Sequence, residues 1–174
     1  YNICYDINNY EVKKVRILII SDSHRRTYTV ERIIRAHPEC KEIYFLGDIL
    51  SDIEKQEEHF PDRIFHKVSG NCDFGSLLPS SAVEQSGGIN VFYTHGHTLG
   101  VKYGTDRLLA AAGERGCKLA LFGHTHISLC EYRGGIYIVN PGSCSSSRSG
   151  PETYAVADIG TGGILPAVLR VDML

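Results

Sequence analysis

The chain is expected to fold as a single mixed α/β domain. Three observations predict this. There are short, β-branched apolar runs, helical-period segments between the first of them, and two glycine-centred hairpin signals towards the C-terminal end. At 174 residues one domain suffices, and a chain of that size buries about 70% of its unfolded surface.

The first run, Val15–Ile20 (VRILII), is nearly continuous in apolar character, as a strand buried on both faces should be, with Arg16 as its one interruption. It leads into Ser21-Asp22-Ser23-His24. The helical spacing of Val30, Ile33, Ile34 and His37 predicts a helix over 29–37, closed by Pro38. Residues 42–46 (EIYFL) form a second expected strand, running into Gly47-Asp48. The acidic stretch 51–58 should be a short exposed helix, and 63–68 a third strand ending at Gly70-Asn71-Cys72-Asp73. This alternation argues for parallel βαβ units.

The second half changes character. A strand over 89–93 leads to Thr94-His95-Gly96-His97. A helix over about 105–115 carries the stripe Leu108, Leu109 and Ala112, with Gly116 suited to its C-cap. A strand over 118–122 precedes Gly123-His124-Thr125-His126. Gly134-Gly135 and the glycine-rich 160–163 each separate two apolar runs, so antiparallel hairpins are expected here.

Composition excludes some partners. With 43% hydrophobic residues, 22% charged residues and a net charge of −2, nothing steers the chain towards nucleic acid or an anionic membrane. No apolar run approaches the roughly 18 residues of a membrane span. Six cysteines are scattered without a CxxC pair, as expected of reduced thiols in a cytoplasmic protein, several of them core filler. Residues 1–14 are polar and lack the basic flank and apolar centre of a signal peptide. They are expected to form a poorly ordered N-terminal extension to a domain spanning 15–174.

Five segments share one property: each follows an expected strand and carries ligand-type residues. They are Asp22-x-His24, Gly47-Asp48, Gly70-Asn71, His95-Gly96-His97 and Gly123-His124-Thr125-His126, and they hold five of the eight histidines. In open α/β sheets ligands bind outside the carboxyl ends of the strands, so residues distant in sequence meet at one rim. Any one segment alone is more often surface or packing, but five together are hard to attribute to chance. Carboxylate, imidazole and amide oxygen suit Mn²⁺, Fe²⁺, Ni²⁺, Co²⁺ or Zn²⁺. A closed structural zinc site would favour cysteine. Seven such side chains exceed one ion's needs, so two ions sharing a carboxylate are expected. Ions about 3.5–4 Å apart clamp the attacking and leaving oxygens of a phosphoryl transfer.

The ordered motifs D-x-H, G-D, G-N, H-G-H and G-H-x-H, spread over 17–143, resemble those of the calcineurin-like metallophosphoesterase superfamily. Short length, the form Gly70-Asn71-Cys72-Asp73 and Asn140-Pro141-Gly142-Ser143 are similar to its small YfcE-type phosphodiesterase branch, which is related to Vps29. The resemblance implies a four-layer α/β/β/α sandwich with mixed sheets. It implies that Asp22, His24 and His126 hold one metal, that Asp48 bridges both, and that Asn71, His95 and His124 complete the second. Two divalent ions are implied, with manganese favoured over nickel, iron, cobalt and zinc. The implied activity is hydrolysis of a small-molecule phosphodiester through a metal-bridging hydroxide, with Asp48 and Asn71 in the catalytic set, to which His97 is added as a candidate. Relatives commonly form homodimers or higher oligomers.

Two positions depart from the family pattern. Arg25 stands where many relatives have glycine, and is a candidate to hold the substrate phosphate or simply a solvated arginine. Cys72 stands where larger relatives carry the histidine that protonates the leaving group; a thiol with a pKa near ~8.5 is a poor match for that transfer. His97 is the alternative candidate, for a supporting, substrate-binding or leaving-group role, or else it simply packs the loop. Asp73 either orients a ligand or caps a turn, and Asn140 to Ser143 either support the rim or form a plain turn. Two rival functions stay open: a non-catalytic Vps29-like protein-binding scaffold, and a phosphomonoesterase or cyclic-nucleotide phosphodiesterase on the same site.

Overall fold

β1 (Val15–Ile20) is inaccessible over its last four residues, because both of its faces are covered. In the computed structural model, which describes residues 14–174, Leu18 and Ile20 point into one apolar cluster and Ile17 and Ile19 into another, the two-residue period of a pleated strand. Residues 1–13 of the expected extension lie outside the described residues.

The elements follow in the order α1 (Thr27–Ala36), β2 (Glu42–Phe45), α2 (Ser51–His59), β3 (Ile64–Lys67), β4 (Ser81–Ser86), β5 (Ile89–Thr94), α3 (Asp106–Gly113), β6 (Leu119–Phe122), β7 (Leu129–Arg133), β8 (Ile136–Asn140), β9 (Thr153–Gly160) and β10 (Gly163–Arg170). They build two five-stranded mixed sheets, ordered β10-β9-β1-β2-β3 and β4-β5-β6-β8-β7. One cluster, including Ile17, Ile19, Tyr44, Leu46, Val91, Leu119 and Leu121, fills the space between the sheets. A second packs Val30, Ile33 and Ile34 of α1 and Ile53 of α2 on the outer face of the first sheet. A third packs Leu108 and Ala112 of α3 on the second sheet. The result is the expected α/β/β/α sandwich in a single domain.

Several expectations are corrected. β4 (SAVEQS) was not foreseen: it is an edge strand, with four of its six residues polar, and lacks the apolar run of a buried strand. Its signal was the turn Gly87-Gly88, both at positive φ. Both expected hairpins are present, β7 with β8 and β9 with β10, but the parallel pairing of β5, β6 and β8 was not foreseen; α3 crosses over between the first pair and β7 lies in the connection between the second. α2 is not merely an exposed helix, because Asp52, Ile53 and Gln56 are buried. Among the described residues no helix is long and apolar enough to cross a membrane. Cys40, Cys117 and Cys144 are free and buried, as core filler should be.

Candidate metal centre

The five ligand-bearing segments leave the C-terminal ends of β1, β2, β3, β5 and β6. Because β1, β2 and β3 run parallel, as do β5 and β6, these ends come together at one rim. The chain turns sharply there. Seven described non-glycine residues have positive φ: Asp22, His24, Arg25, Asp48, Ile49, His124 and His126. All lie in these loops, and for the β-branched Ile49, at φ +81°, the left-handed region is a true outlier. Strain concentrated in this way marks a functional site.

The motif glycines serve close approach. A Cβ on Gly47 would lie 2.5 Å from the Gly70 nitrogen, one on Gly70 would strike the Asp48 carboxylate, and one on Gly123 would strike Ser21 Oγ and come within 2.8 Å of Asp22 Oδ2. The glycines thus let the strand-end loops stack with the carboxylates between them.

The side chains form two groups. In the first, Asp22, His24, Asp48 and His126 bring one ligand atom each within 4.8 Å of one another. His126 Nε2 is 3.1 Å from Asp22 Oδ1 and 3.1 Å from His24 Nε2. In the second, His95 Nε2 lies 3.1 Å from Asn71 Oδ1, 3.2 Å from His124 Nδ1 and 3.4 Å from Asp48 Oδ1. Asp48 joins the groups: Oδ1 faces His95, and Oδ2 lies 3.7 Å from His24 Nε2. His124 and His126, one residue apart from Thr125 on either side, enter different groups.

Hydrogen bonds fix which ring nitrogens carry lone pairs. His126 Nδ1 donates to the Ser146 carbonyl at 2.7 Å, and His95 Nδ1 to the Leu46 carbonyl at 2.8 Å. With Nδ1 so engaged, Nε2 is the position that each ring turns inward. Asp22 Oδ1 is buried and accepts no hydrogen bond. Imidazole nitrogens and carboxylate and amide oxygens thus converge on two small volumes, an arrangement that a cation would favour. The donor set fits a divalent metal of the nitrogen- and oxygen-preferring kind. Electrostatics agree. Burial, then the neighbouring His95, lowers His124 to a pKa of about 4, keeping it neutral. Burial alone would raise Asp22, but His126, His95 and Ser21 outweigh it and hold the carboxyl below its usual range. The Asp22 carboxylate beside its Nε2 raises His126.

Around these groups stands a supporting layer that residue type alone did not reveal. Asp73 accepts from the backbone N–H groups of Asp48, Ile49, Leu50 and Gly70 at 2.8–2.9 Å. It caps the turn and, through it, fixes the backbone at Asp48. Asp52, buried on α2, accepts from Ser23 Oγ, the Arg25 N–H and Thr27 Oγ1. Asn140 donates to the Gly123 carbonyl and Thr125 Oγ1, and Ser143 Oγ to the Asp22 carbonyl. The stretch from Asn140 to Ser143 is thus a prop for the rim. Asp52 was not singled out as a site residue.

The remaining candidates flank the groups. His97 opens a 3₁₀ turn, His97–Leu99, with its ring 5.3 Å from His95 and 6.1 Å from His124; burial, then His95, lowers its pKa. The Cys72 N–H donates to Asp48 Oδ1, and burial, then Asp48, pushes its thiol up to about 11. The Arg25 side chain is exposed and lines a cleft beside the site.

Comparison with known proteins agrees with this geometry. Residues 15–162 match the calcineurin-like phosphoesterase superfamily domain. The chain is 32% identical to the probable metallophosphoesterase YsnB of Bacillus subtilis over 144 residues, covering 82% of this chain and 83% of that one. It is 29% identical to the phosphodiesterase YfcE of Escherichia coli over 168 residues, covering 83% and 88%. A predicted phosphoesterase of Streptococcus pneumoniae TIGR4, known as a crystal structure, superposes with a TM-score of 0.79 at 27% identity over 91% of each chain.

Proposed function

The chain belongs to the calcineurin-like phosphoesterase superfamily, and on that basis we propose that it is a cytoplasmic phosphodiesterase dependent on two divalent metal ions, manganese foremost. Asp22, His24 and His126 would hold one ion, Asn71, His95 and His124 the other, and Asp48 both. The observation that carries this is the Asp48 carboxylate, whose two oxygens face two separate lone-pair clusters. Bound there, the ions would supply an activated water at neutral pH and neutralise charge developing on the phosphoryl oxygens.

The chain's own residues do the rest. Asp73 and Asp52 fix the loops that carry Asp48 and His24, so that the ligands need not reorganise during reaction. Arg25 adds a positive charge at the rim for the phosphate. His97 is the residue assigned to the leaving-group side, through its packing against His95 and His124. With a thiol at Cys72, a weak acid, diesters with good leaving groups such as aryl phosphates should react faster than alkyl monoesters.

The test is hydrolysis of an aryl phosphodiester by the purified chain with added Mn²⁺, repeated with Asp48→Asn. A fall of at least ~100-fold is expected on losing a shared metal ligand, about 2.7 kcal/mol of transition-state stabilisation. Undiminished turnover would overturn the assignment. A non-catalytic scaffold would show no turnover with any ion.

A further inference from the structure

Among the described residues, one further group of metal-ligating side chains comes together outside the candidate centre. His37, Glu39 and Cys40 bring one ligand atom each within 4.8 Å of one another. They lie on the turn between α1 and β2, ahead of the strand whose far end carries Asp48. The run His37-Pro38-Glu39-Cys40 sets their spacing. The Cys40 N–H donates to the His37 carbonyl at 3.1 Å, closing a four-residue turn with proline at its second position, where a fixed φ is favoured. Arg63, whose side chain is almost inaccessible, donates to the His37 and Cys40 carbonyls and pins both ends of that turn. Glu39 Oε1 lies 3.1 Å from His37 Nδ1 and 4.0 Å from Cys40 Sγ. A tetrahedral zinc ion with bonds of about 2.0–2.3 Å holds its ligand atoms roughly 3.3–3.6 Å apart, so side-chain adjustment alone lets this group receive one.

We infer that His37 Nδ1, the Glu39 carboxylate and the Cys40 sulfur form a separate single-ion site for zinc or a similar thiolate-binding divalent metal, with solvent as its fourth ligand. The inference does not depend on the proposed phosphodiesterase activity. The Tyr154 hydroxyl lies 2.9 Å from His37 Nε2. In the tautomer that donates Nε2–H to it, Nδ1 is free to ligate, and the outer hydrogen bond orients the ring as it does for metal-bound histidines. His37 also caps the C-terminal end of α1, where the helix dipole favours a cation. Burial pushes the Cys40 thiol up to about 12, so the ion has to displace that proton to solvent, which favours thiolate-binding metals over manganese. Thiolate and carboxylate then balance the two charges of the ion. Arg16, 3.5 Å from Glu39 and held by two bonds to Asp158, therefore faces a neutral group. Glu39 is 43% exposed and gives the ion its way in.

Titration of the purified chain with Co²⁺, a spectroscopic probe for zinc sites, tests this. Cobalt bound to thiolate gives a near-ultraviolet sulfur-to-metal charge-transfer band, and none of the seven candidate ligands of the other centre is a cysteine. The unaltered protein should develop the band, and Zn²⁺ should abolish it where the same concentration of Mn²⁺ does not. Cys40→Ser should lose the band, while Cys72→Ser, beside the other centre, should keep it. Glu39→Ala, at a partly exposed position that the fold does not need, should move the midpoint at least ~10-fold to higher Co²⁺, equivalent to about 1.4 kcal/mol. No band in the unaltered protein, a band that survives Cys40→Ser or depends on Cys72, or an unmoved midpoint in Glu39→Ala would overturn the site.

Discussion

Gly70 shows how much chemistry a missing side chain permits. Its φ is not in the left-handed region, so alanine has no backbone penalty there, yet a Cβ would meet Asp48 at both its carboxylate and its nitrogen. Gly70→Ala should therefore displace the shared carboxylate at a modest cost to folding, about 1–3 kcal/mol for an overpacked contact. Isothermal titration with Mn²⁺ should show weakened binding of both ions, whereas an alanine that altered only stability would leave the titration unchanged. Asp73 acts on the same carboxylate from the other side. Four backbone N–H groups converge on it, and three belong to the loop that forces Asp48 and Ile49 to positive φ. Asp73→Ala strands those donors, and each charge-assisted bond contributes about 1.5–3 kcal/mol. Turnover should drop at least ~10-fold with a lowered melting temperature, and Asp73→Asn, which keeps acceptor oxygen, should recover part of both. The seven candidate ligands were legible in the sequence because few residue types bind metals and each follows a strand. Asp73 was legible only as an ambiguity, since a carboxylate after a turn looks the same whether it caps a loop or shapes a site.

Elements explain what local pattern concealed. Asp52 lies in a stretch so acidic that it resembled solvated surface, yet α2 turns it inward to bind Ser23, Arg25 and Thr27 ahead of and within the first turn of α1. Only the pairing of two helices gives that carboxylate its role, and one-dimensional periodicity does not encode the pairing. Asp52→Ala should cost about 2–4 kcal/mol in urea unfolding, the range for a buried network losing its acceptor. Arg16 is a similar case. It interrupted the apolar run of β1 without apparent reason, and its register partner on β9 is Asp158. The guanidinium donates two bonds to that carboxylate, at 2.7 and 2.8 Å, and with help from Lys14 holds it at a pKa of about 2. Because the folded pKa is depressed, the pair stabilises the fold above the unfolded aspartate pKa of about 3.9, and the contribution is lost as pH falls towards 2. Asp158→Asn should thus lower stability by about 1 kcal/mol at neutral pH. The gap to the unaltered protein should close between about pH 4 and pH 2; a gap independent of pH would mean that the ion pair is not its source.

At the scale of the molecule, the candidate centre is where the two sheets meet through polar groups instead of apolar ones. Asp22, His24, Asp48 and Asn71 come from the sheet of β1, β2 and β3, while His95, His124 and His126 come from the sheet of β5 and β6. Each four-residue group contains side chains from both sheets, so a cation in either would cross-link them at the rim, where the apolar layer between the sheets ends. The sequence pointed to the ligands but not to this cross-link, because strand order could not be read from it. The consequence is thermodynamic. A ligand that binds only the folded chain at 100 times its dissociation constant adds about 2.7 kcal/mol. For a domain of this size each kcal/mol raises the melting temperature by roughly 2–4 °C. Mn²⁺ should therefore raise the melting temperature by roughly 5–10 °C over the protein in EDTA. Asp48→Asn should lose most of that rise, yet in EDTA it should melt no lower than the unaltered chain, since it removes a charge from a crowd of converging lone pairs. Identical melting in Mn²⁺ and EDTA would mean that the sheets are not joined by metal, and the two-ion proposal would fall with it.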